Sequence, residues 1–325
     1  MRSIFFGVAA AFFFAVTFIV NRAMALSGGN WIWSGSLRYF FMVPFLLLIV
    51  GFRRNLGPLI KELLHHPLPW LAWSTVGFGL FYAPLCFAAN YGPGWLIAGT
   101  WQLTIICGSL LSPLFFETIQ TDHGPLKIRG RIPLRGLLMS LIILAGVVLM
   151  QWGQARHTIT EAAIVSMVSI LVAAFSYPLG NRKMMAYTGR KWDTFQRVLG
   201  MTLASMPFWL ALSVWGIFTD GLPSFDQTLQ SVIVAISSGV IATVLFFYAT
   251  ELTRGDIRRL AAVEATQSME VVFTLLGELI LLGSPIPPWP GWLGMAFVIV
   301  GMILHSYVSQ KGYLHKKRRE RAAEQ

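Results

Sequence analysis

Long apolar runs alternate with short polar breaks along the whole chain. An α-helix needs roughly 20 mostly apolar residues to span the hydrocarbon core of a bilayer. Glycine, proline, asparagine and charged residues fill the breaks, as is typical of loops between spans. The pattern therefore predicts an all-α polytopic membrane protein with ten transmembrane helices. The predicted spans are residues 3–22, 31–51, 69–89, 93–116, 134–152, 162–181, 195–218, 229–250, 259–282 and 289–310.

The first run has some features of a secretory signal peptide, because Arg2 precedes it and Ala23-Met24-Ala25 resembles a cleavage site. Its apolar stretch is longer than the 7–15 residues usual in signal peptides, and nine further runs follow it. We therefore interpret it as a retained helix.

Composition and charge narrow the class of protein. Of the 325 residues, 12% are charged, against roughly 25% in soluble domains, so most of the surface must face a lipid bilayer. The net charge of +11 comes from short segments between the apolar runs. No soluble module remains to bind nucleic acid, which we exclude as a partner.

The sequence shows no sign of a metal or cofactor site. Cys86 and Cys107 lie inside apolar runs, without the ligand spacing of a metal site. We expect no metal and no cofactor, and the chain has no GxxxxGK[ST] motif for binding ATP.

Basic residues orient the predicted bundle. Lysine and arginine accumulate in cytoplasmic loops, because their translocation is disfavoured. With the N-terminus inside, the inside segments hold 21 of the 25 lysines and arginines, all except Arg22, Arg38, Arg156 and Arg197. We predict a protein of the inner or plasma membrane with both termini in the cytoplasm.

A weak internal repeat appears at an offset of 160 residues. The stretch 21–24, Asn-Arg-Ala-Met, falls on 181–184, Asn-Arg-Lys-Met, and with small shifts Gly146 meets Gly301. Five spans per half is an odd number, so the second half would enter the membrane in the opposite orientation, as in many transporters. We predict one five-helix repeat over 1–152, a second over 153–312, and a basic cytoplasmic tail over 313–325.

These features resemble the drug/metabolite transporter superfamily. The stretch 100–104, Thr-Trp-Gln-Leu-Thr, leading to Ser-Pro-Leu-Phe at 112–115, is similar to its ten-helix multidrug resistance efflux transporter family. The resemblance implies secondary active export of small organic molecules, drugs or metabolites, by alternating access. Two departures matter: Glu117 has no counterpart in the second half, where Gly283 and Ser284 stand, and spans one and six have no glutamate within the membrane. The mechanism of the small four-helix relatives therefore does not transfer.

Span nine contains the main candidate residues for binding substrate or protons. On an ideal helix Glu264, Gln267 and Glu278 share one face, with Glu270 beside them and closest to the middle of the membrane. Ionisable groups in a membrane are costly and are functional candidates by default. They would bind a proton or a cationic substrate in exchange. The alternative is that these carboxylates are structural partners of arginines, namely Arg22, Arg38, Arg182 or Arg197.

Span four supplies the opposite candidates, Trp101, Gln102 and Thr104. The indole ring could stack on a flat or cationic substrate or simply pack. Asn21 and Arg22 are candidates for the mouth of a cavity, and so is Tyr82 in span three, for which core packing is the alternative. No catalytic residue is indicated.

Three functions stay open on the sequence. The first is a secondary active exporter of small organic molecules, with protons as a candidate coupling ion. The second is an uptake carrier or exchanger for a metabolite such as an amino acid or nucleoside. The third is a membrane enzyme or lipid-handling protein, which the placement of polar groups along one helix disfavours. One chain contains both halves, so monomer and homodimer both remain open.

Overall fold

The computed structural model describes residues 2–121, 124–155, 160–189, 191–253 and 257–323, and helices dominate it. We number the helices in chain order. They are α1 Arg2–Leu26, α2 Trp31–Phe52, α3 Leu56–His65, α4 Pro67–Ala88, α5 Gly94–Leu110, α6 Leu134–Ala155, α7 Thr160–Thr188, α8 Thr194–Asp220, α9 Phe225–Glu251, α10 over 257–281 and α11 Trp289–Ala323.

The helices confirm the predicted class of membrane protein. In the described ranges, eight helices are long and apolar enough to cross a membrane, and α5 is a shorter apolar helix. α10 covers the ninth predicted span in three pieces, Ile257–Ala265, a 3-10 turn Thr266–Ser268, and Met269–Leu281. Every predicted span thus corresponds to a helix or to an interrupted helix.

Two elements outside the spans were not predicted. α3 packs beside α4 and α8. An antiparallel hairpin of β1 (Phe116–Thr121) and β2 (Gly124–Arg129) follows α5. The fourth predicted span ended at 116, whereas α5 ends at Leu110, because Pro113 lies in a 3-10 turn that redirects the chain.

Glycines allow the closest helix contacts. A Cβ built on Gly146 of α6 would lie 2.6 Å from the carbonyl oxygen of Gly294 in α11, and one on Gly301 would lie 2.7 Å from Ile143. Gly77 of α4 and Gly180 of α7 meet in the same way. Small residues let helix backbones approach in a membrane, where packing drives association.

Four spanning helices in the described part of the chain are interrupted. α4 contains a π-helical segment at Thr75–Gly79 and α9 one at Ala235–Ala242, and the two begin 160 residues apart. α5 breaks at Gln102 and Leu103, between Gly94–Trp101 and Thr104–Leu110, and α10 breaks at its 3-10 turn. The interruptions therefore fall in the third and fourth spans of each predicted half. The division of the chain into repeats stays a prediction.

Candidate functional site

A cavity of about 620 Å³ lies inside the bundle. All four interrupted helices line it, together with parts of α1, α2, α7, α8 and α11. Irregular helix segments are frequent at functional sites, and in carriers discontinuous helices commonly form the binding site near the middle of the membrane. The interruptions thus lie where a ligand would be held.

The cavity extends toward one side of the membrane. In the predicted ten-span topology both chain ends lie on the same side, which we call the terminal side. On α5, α7, α9 and α11 the lining residues belong to the later part of each helix, toward the terminal side; examples are Gly108, Met185, Phe247 and Ser306. The cavity therefore runs from the middle of the bundle toward the terminal side.

Six of the predicted site residues line this cavity. α5 and α10 approach it together, as the sequence predicts, although a role in binding stays a prediction for each residue. The six are Trp101, Gln102, Thr104, Glu264, Gln267 and Glu270.

Glu270 is the most enclosed carboxylate of the cavity. Its side chain is 6% exposed, and it lies in the first turn after the 3-10 break, about 16 Å along the helix from Leu281. Among the described side chains, none forms a hydrogen bond or an ion pair with its carboxylate; Thr274 donates only to its backbone carbonyl, at 2.6 Å. Glu264 is exposed and lies closer to the terminal side. The described part of the chain shows no ion pair between either of these carboxylates and an arginine, whereas Glu278 lies within electrostatic reach of Arg22, one of the arginines considered as structural partners.

Three aromatic rings form one wall of the cavity, and we call them the aromatic wall: Phe81 of α4, Trp101 of α5 and Tyr177 of α7. The ring centroids lie 4.9 Å (Phe81 to Trp101), 4.8 Å (Phe81 to Tyr177) and 5.5 Å (Trp101 to Tyr177) apart. Thr104 fixes the α5 break by donating to the Ala174 carbonyl of α7 at 3.2 Å. The rings are inclined to one another by 37° to 72°, and the wall offers an aromatic, largely apolar surface to a ligand.

The lining also contains three arginines, Arg38, Arg182 and Arg197. Arg182 donates to the Gly108 carbonyl at 2.5 Å. Arg38 is 8% exposed, and its guanidinium carbon lies 4.0 Å from the centroid of the Tyr82 ring. The sequence analysis considered these arginines only as partners of carboxylates, although Arg38 is itself an ionisable group within a span, the signal that marks functional candidates.

His305 of α11 and Tyr177 are lining residues that the sequence analysis missed. His305 carried the same signal as Arg38, because it is a titratable group inside a predicted span. Its Nδ1 lies 2.7 Å from the Ser140 hydroxyl and 3.0 Å from the Gly136 carbonyl oxygen. Tyr177 carried no distinguishing signal, since aromatic residues are common throughout the spans.

The other four predicted residues lie away from the lining, on the far side from the chain ends. The Glu278 carboxylate, fully buried, accepts hydrogen bonds from the backbone N–H groups of Gly94 at 2.7 Å and Trp95 at 3.0 Å, joining α10 to the start of α5. Arg22 donates to the Ala89 carbonyl at 2.8 Å, and the Asn21 amide lies 3.1 Å from the Tyr82 hydroxyl. We call this set the far seal; it consists of Asn21, Arg22, Tyr82, Ala89, Gly94, Trp95 and Glu278.

A helical bundle of membrane-spanning length, with a central cavity that is closed on one side by buried hydrogen bonds, defines a multi-pass membrane protein of the transporter class. The family comparison gives the same class. Residues 1–311 match the family model EmrE, described as "Putative multidrug resistance efflux transporter", and the chain belongs to this family.

Relatives cover the chain almost completely. The chain is 55% identical over 317 residues to "Uncharacterized protein YjlA" of Bacillus subtilis (strain 168), covering 98% of each chain. It is 50% identical over 270 residues to the "Uncharacterized 42.1 kDa protein in intracellular alkaline protease 3'region" of Shouchella clausii, covering 83% of this chain and 70% of the relative. A crystal structure of a protein with 15% identity covers 94% of this chain and 98% of its own, with a TM-score of 0.60, which shows a shared fold.

Proposed function

We propose that the chain is a secondary active transporter that exports small organic molecules by alternating access, with protons exchanged at Glu270. The observation that carries the proposal is one buried carboxylate without a partner among the described side chains, near the middle of a cavity that extends to one side of the membrane. A buried carboxylate is costly in a membrane unless a function retains it.

Alternating access needs two shapes of comparable energy. The present shape is accessible from the terminal side and closed by the far seal. Inverted repeats over 1–152 and 153–312 would supply the opposite shape, because exchanging the conformations of two similar halves opens the other side. The π segments and breaks in α4, α5, α9 and α10 are positioned to absorb the change, since helices bend where the regular hydrogen-bond ladder is interrupted.

Exchange follows from competition for one carboxylate. In the form open to the terminal side, the protonated Glu270 carboxyl releases its proton into the water of the cavity, and a substrate with a donor or cationic group binds the resulting carboxylate. After the bundle reopens on the far side, protonation of the same oxygen releases the substrate. The protonated carboxyl then returns to the terminal side, so one proton moves inward for each substrate that moves outward.

The orientation of the chain in the membrane determines from which side the cavity receives its substrate. We place it in the cell membrane with both termini cytoplasmic, on the strength of the basic loops. The terminal side is then the cytoplasm, and the cavity receives its substrate there, as an exporter requires. A single chain contains every element that this cycle uses.

A metabolite uptake carrier or exchanger is the second candidate. The three arginines in the lining favour it, because organic cations, the usual form of many drugs, would be repelled by guanidinium groups. The same cavity serves uptake or export, depending on the gradients.

The test is a transport screen on purified protein in liposomes with an imposed pH gradient. Amines, dyes, amino acids and nucleosides are added in turn, and a fluorescent reporter follows internal pH. Proton movement that requires both protein and substrate supports the proposal. Substrate uptake that proceeds without proton movement, at every gradient, replaces it with facilitated exchange.

A further inference from the structure

Arg38 is an unusual group to find at the deep end of the cavity. It lies on α2, about 10 Å along the helix from Trp31, and its side chain is 8% exposed. Its Nε atom is buried and has no hydrogen-bond partner among the described residues. No ion pair joins its guanidinium to a carboxylate in the described part of the chain. A guanidinium stays charged in proteins, so this is a permanent buried cation.

Its neighbours are aromatic. The guanidinium carbon is 4.0 Å from the ring centroid of Tyr82 and 5.8 Å from that of Tyr39. Contacts of a cation with ring faces orient the group, and the Tyr82 hydroxyl lies within hydrogen-bonding reach of the guanidinium, but the buried Nε–H has no acceptor among the described residues. Removing an ion from water costs several kcal/mol when no partner replaces the water. The site thus holds the guanidinium in place and leaves its Nε donor unsatisfied.

A second donor in the lining is also without a partner. The side-chain nitrogen of Gln267, on α10, is buried and makes no hydrogen bond to the described residues. Arg38 and Gln267 thus each place an unpaired N–H donor in the lining of the same cavity, and each donor needs an acceptor oxygen. Neither of these two nitrogen atoms can accept a hydrogen bond from the other. A carboxylate suits the fork of Arg38, because arginine binds carboxylates through two parallel hydrogen bonds.

The opposite charge is held apart from Arg38. Glu270 lines the same cavity, and neither group forms an ion pair with a described side chain. Tyr177 of the aromatic wall lies within electrostatic reach of Glu270, Arg197 and Arg38, so charges of both signs are found near this ring. A cavity that keeps a cation and an anion separate, with an apolar wall beside them, is complementary to a molecule that carries both charges on a compact apolar body.

On this basis we propose that the substrate is a small zwitterion of the amino-acid type, whose carboxylate binds Arg38 and whose ammonium group faces Glu270. The apolar part of the molecule rests on the aromatic wall. This inference rests on the proposed function, since it assigns a substrate class to the same cavity. It makes Arg38 the residue that selects against permanent organic cations, which have no group for it to bind.

The test measures binding of four probe mixtures to the full-length protein in detergent by isothermal titration. The probes are free L-amino acids, the same amino acids as amides, the same as N-acetyl derivatives, and tetraphenylphosphonium with ethidium. The amides lack the carboxylate and the N-acetyl compounds lack the ammonium. The variants are Arg38→Gln, Arg38→Lys, and Arg54→Gln as a matched loss of charge from an exposed arginine outside the cavity lining.

We expect the free amino acids to bind at least tenfold more tightly than the amides. Arg38→Gln should weaken amino-acid binding by 10- to 100-fold and change amide binding by less than threefold, and Arg54→Gln should change both by less than threefold. Arg38→Lys keeps the charge without the fork, so it should recover part of the loss and should fold even if the glutamine variant does not. Equal losses for both probes, binding of the permanent cations alone, or no binding by any mixture to monodisperse protein would each overturn the proposal.

Transport separates this inference from the proposed function. If permanent cations drive Glu270-dependent proton movement, the proposed proton-coupled transport is supported and the assignment of a zwitterionic substrate is refuted. If amino acids bind through Arg38 but are not transported under a pH gradient, the zwitterion site is supported and proton-coupled export is refuted.

Discussion

Replacing Glu270 with glutamine isolates the carboxylate charge from the shape of its side chain. Glutamine has nearly the same size, and no hydrogen bond or ion pair of this carboxylate with the described residues is lost. Folding should therefore tolerate the change: the free energy of unfolding should fall by less than about 1 kcal/mol or should rise, because removing an unpaired buried charge is neutral or favourable.

Function should respond far more strongly than stability. A hydrogen bond to a charged group is worth about 1.5–3 kcal/mol, which corresponds to a loss of about 10- to 150-fold in affinity for a substrate with a cationic group. Coupling should disappear altogether, because an amide does not exchange a proton at any accessible pH.

The assay compares wild type, Glu270→Gln and Glu264→Gln in liposomes with an imposed pH gradient, following substrate uptake and internal pH together. Glu264 lies on the same helix and lines the same cavity but is exposed, so its replacement should leave coupling intact and change the apparent affinity by no more than about fivefold. Wild-type coupled transport by Glu270→Gln would remove this residue from the mechanism. If coupling is lost in Glu264→Gln alone, the proton site would have to be assigned to Glu264, at the mouth of the cavity, and not to Glu270.

Three further substitutions probe other parts of the structure. Glu278→Ala leaves two buried N–H donors unpaired, which should destabilise the closed far seal by about 1–3 kcal/mol. In a Cys107→Ser background, in which Cys86 is the remaining cysteine, maleimide labelling of the buried Cys86 from the far side should therefore rise by about 5- to 150-fold. Trp101→Ala removes one ring of the aromatic wall, with pair contacts worth about 0.5–1.5 kcal/mol, and should raise the KM of a substrate with an apolar body by about 2- to 12-fold. Gly146→Val places a methyl-bearing carbon 2.6 Å from a backbone oxygen of α11 and should lower the free energy of unfolding by about 1–3 kcal/mol, read as a lower melting temperature in detergent.

Each of these predictions has a matched control. Glu278→Gln keeps one acceptor oxygen and should label less than the alanine variant, and equal labelling of all three forms would remove the carboxylate from the seal. Trp101→Phe should recover most of the affinity; if it behaves like alanine, a flat ring is not what the substrate requires. Gly51→Val adds its Cβ where no atom lies within 4 Å, and a melting temperature as low as that of Gly146→Val would refute the close-packing argument.

The class of protein followed from the sequence because the length of an apolar run is set by the thickness of a bilayer. Interruptions within the spans did not follow, since a π segment such as Thr75–Gly79 depends on which neighbours pack against the glycines. The hairpin after α5 and the surface helix α3 were also missed, because loops of that length carry no strong periodicity.

Part of the candidate site could also be predicted. The predicted face of span nine contains Glu264 and Gln267 with Glu270 beside them, and all three line the cavity, since the helical period is a local property. Glu278 lies about 12 Å further along the helix than Glu270, so it shares the direction but lies beyond the deep end of the cavity, at the start of α5. Arg38 entered the sequence analysis only as one possible partner of the span-nine carboxylates, because pairing between distant helices cannot be read from spacing along the chain.

The far seal has a consequence for how related chains can diverge. Two of its hydrogen bonds share one acceptor, because the main-chain N–H groups of Gly94 and Trp95 both donate to the Glu278 carboxylate. A Cβ at Gly94 would lie 2.9 Å from the Phe18 carbonyl oxygen, which disfavours substitution there. In this pair of bonds only the acceptor is a side chain, so a single codon, that of Glu278, can loosen the link between α10 and the start of α5 without altering any residue that lines the cavity. Under the proposed function, the preference for the conformation closed on the far side and the preference for a substrate can therefore change independently in evolution. Related chains could differ in the first while they keep the same substrate.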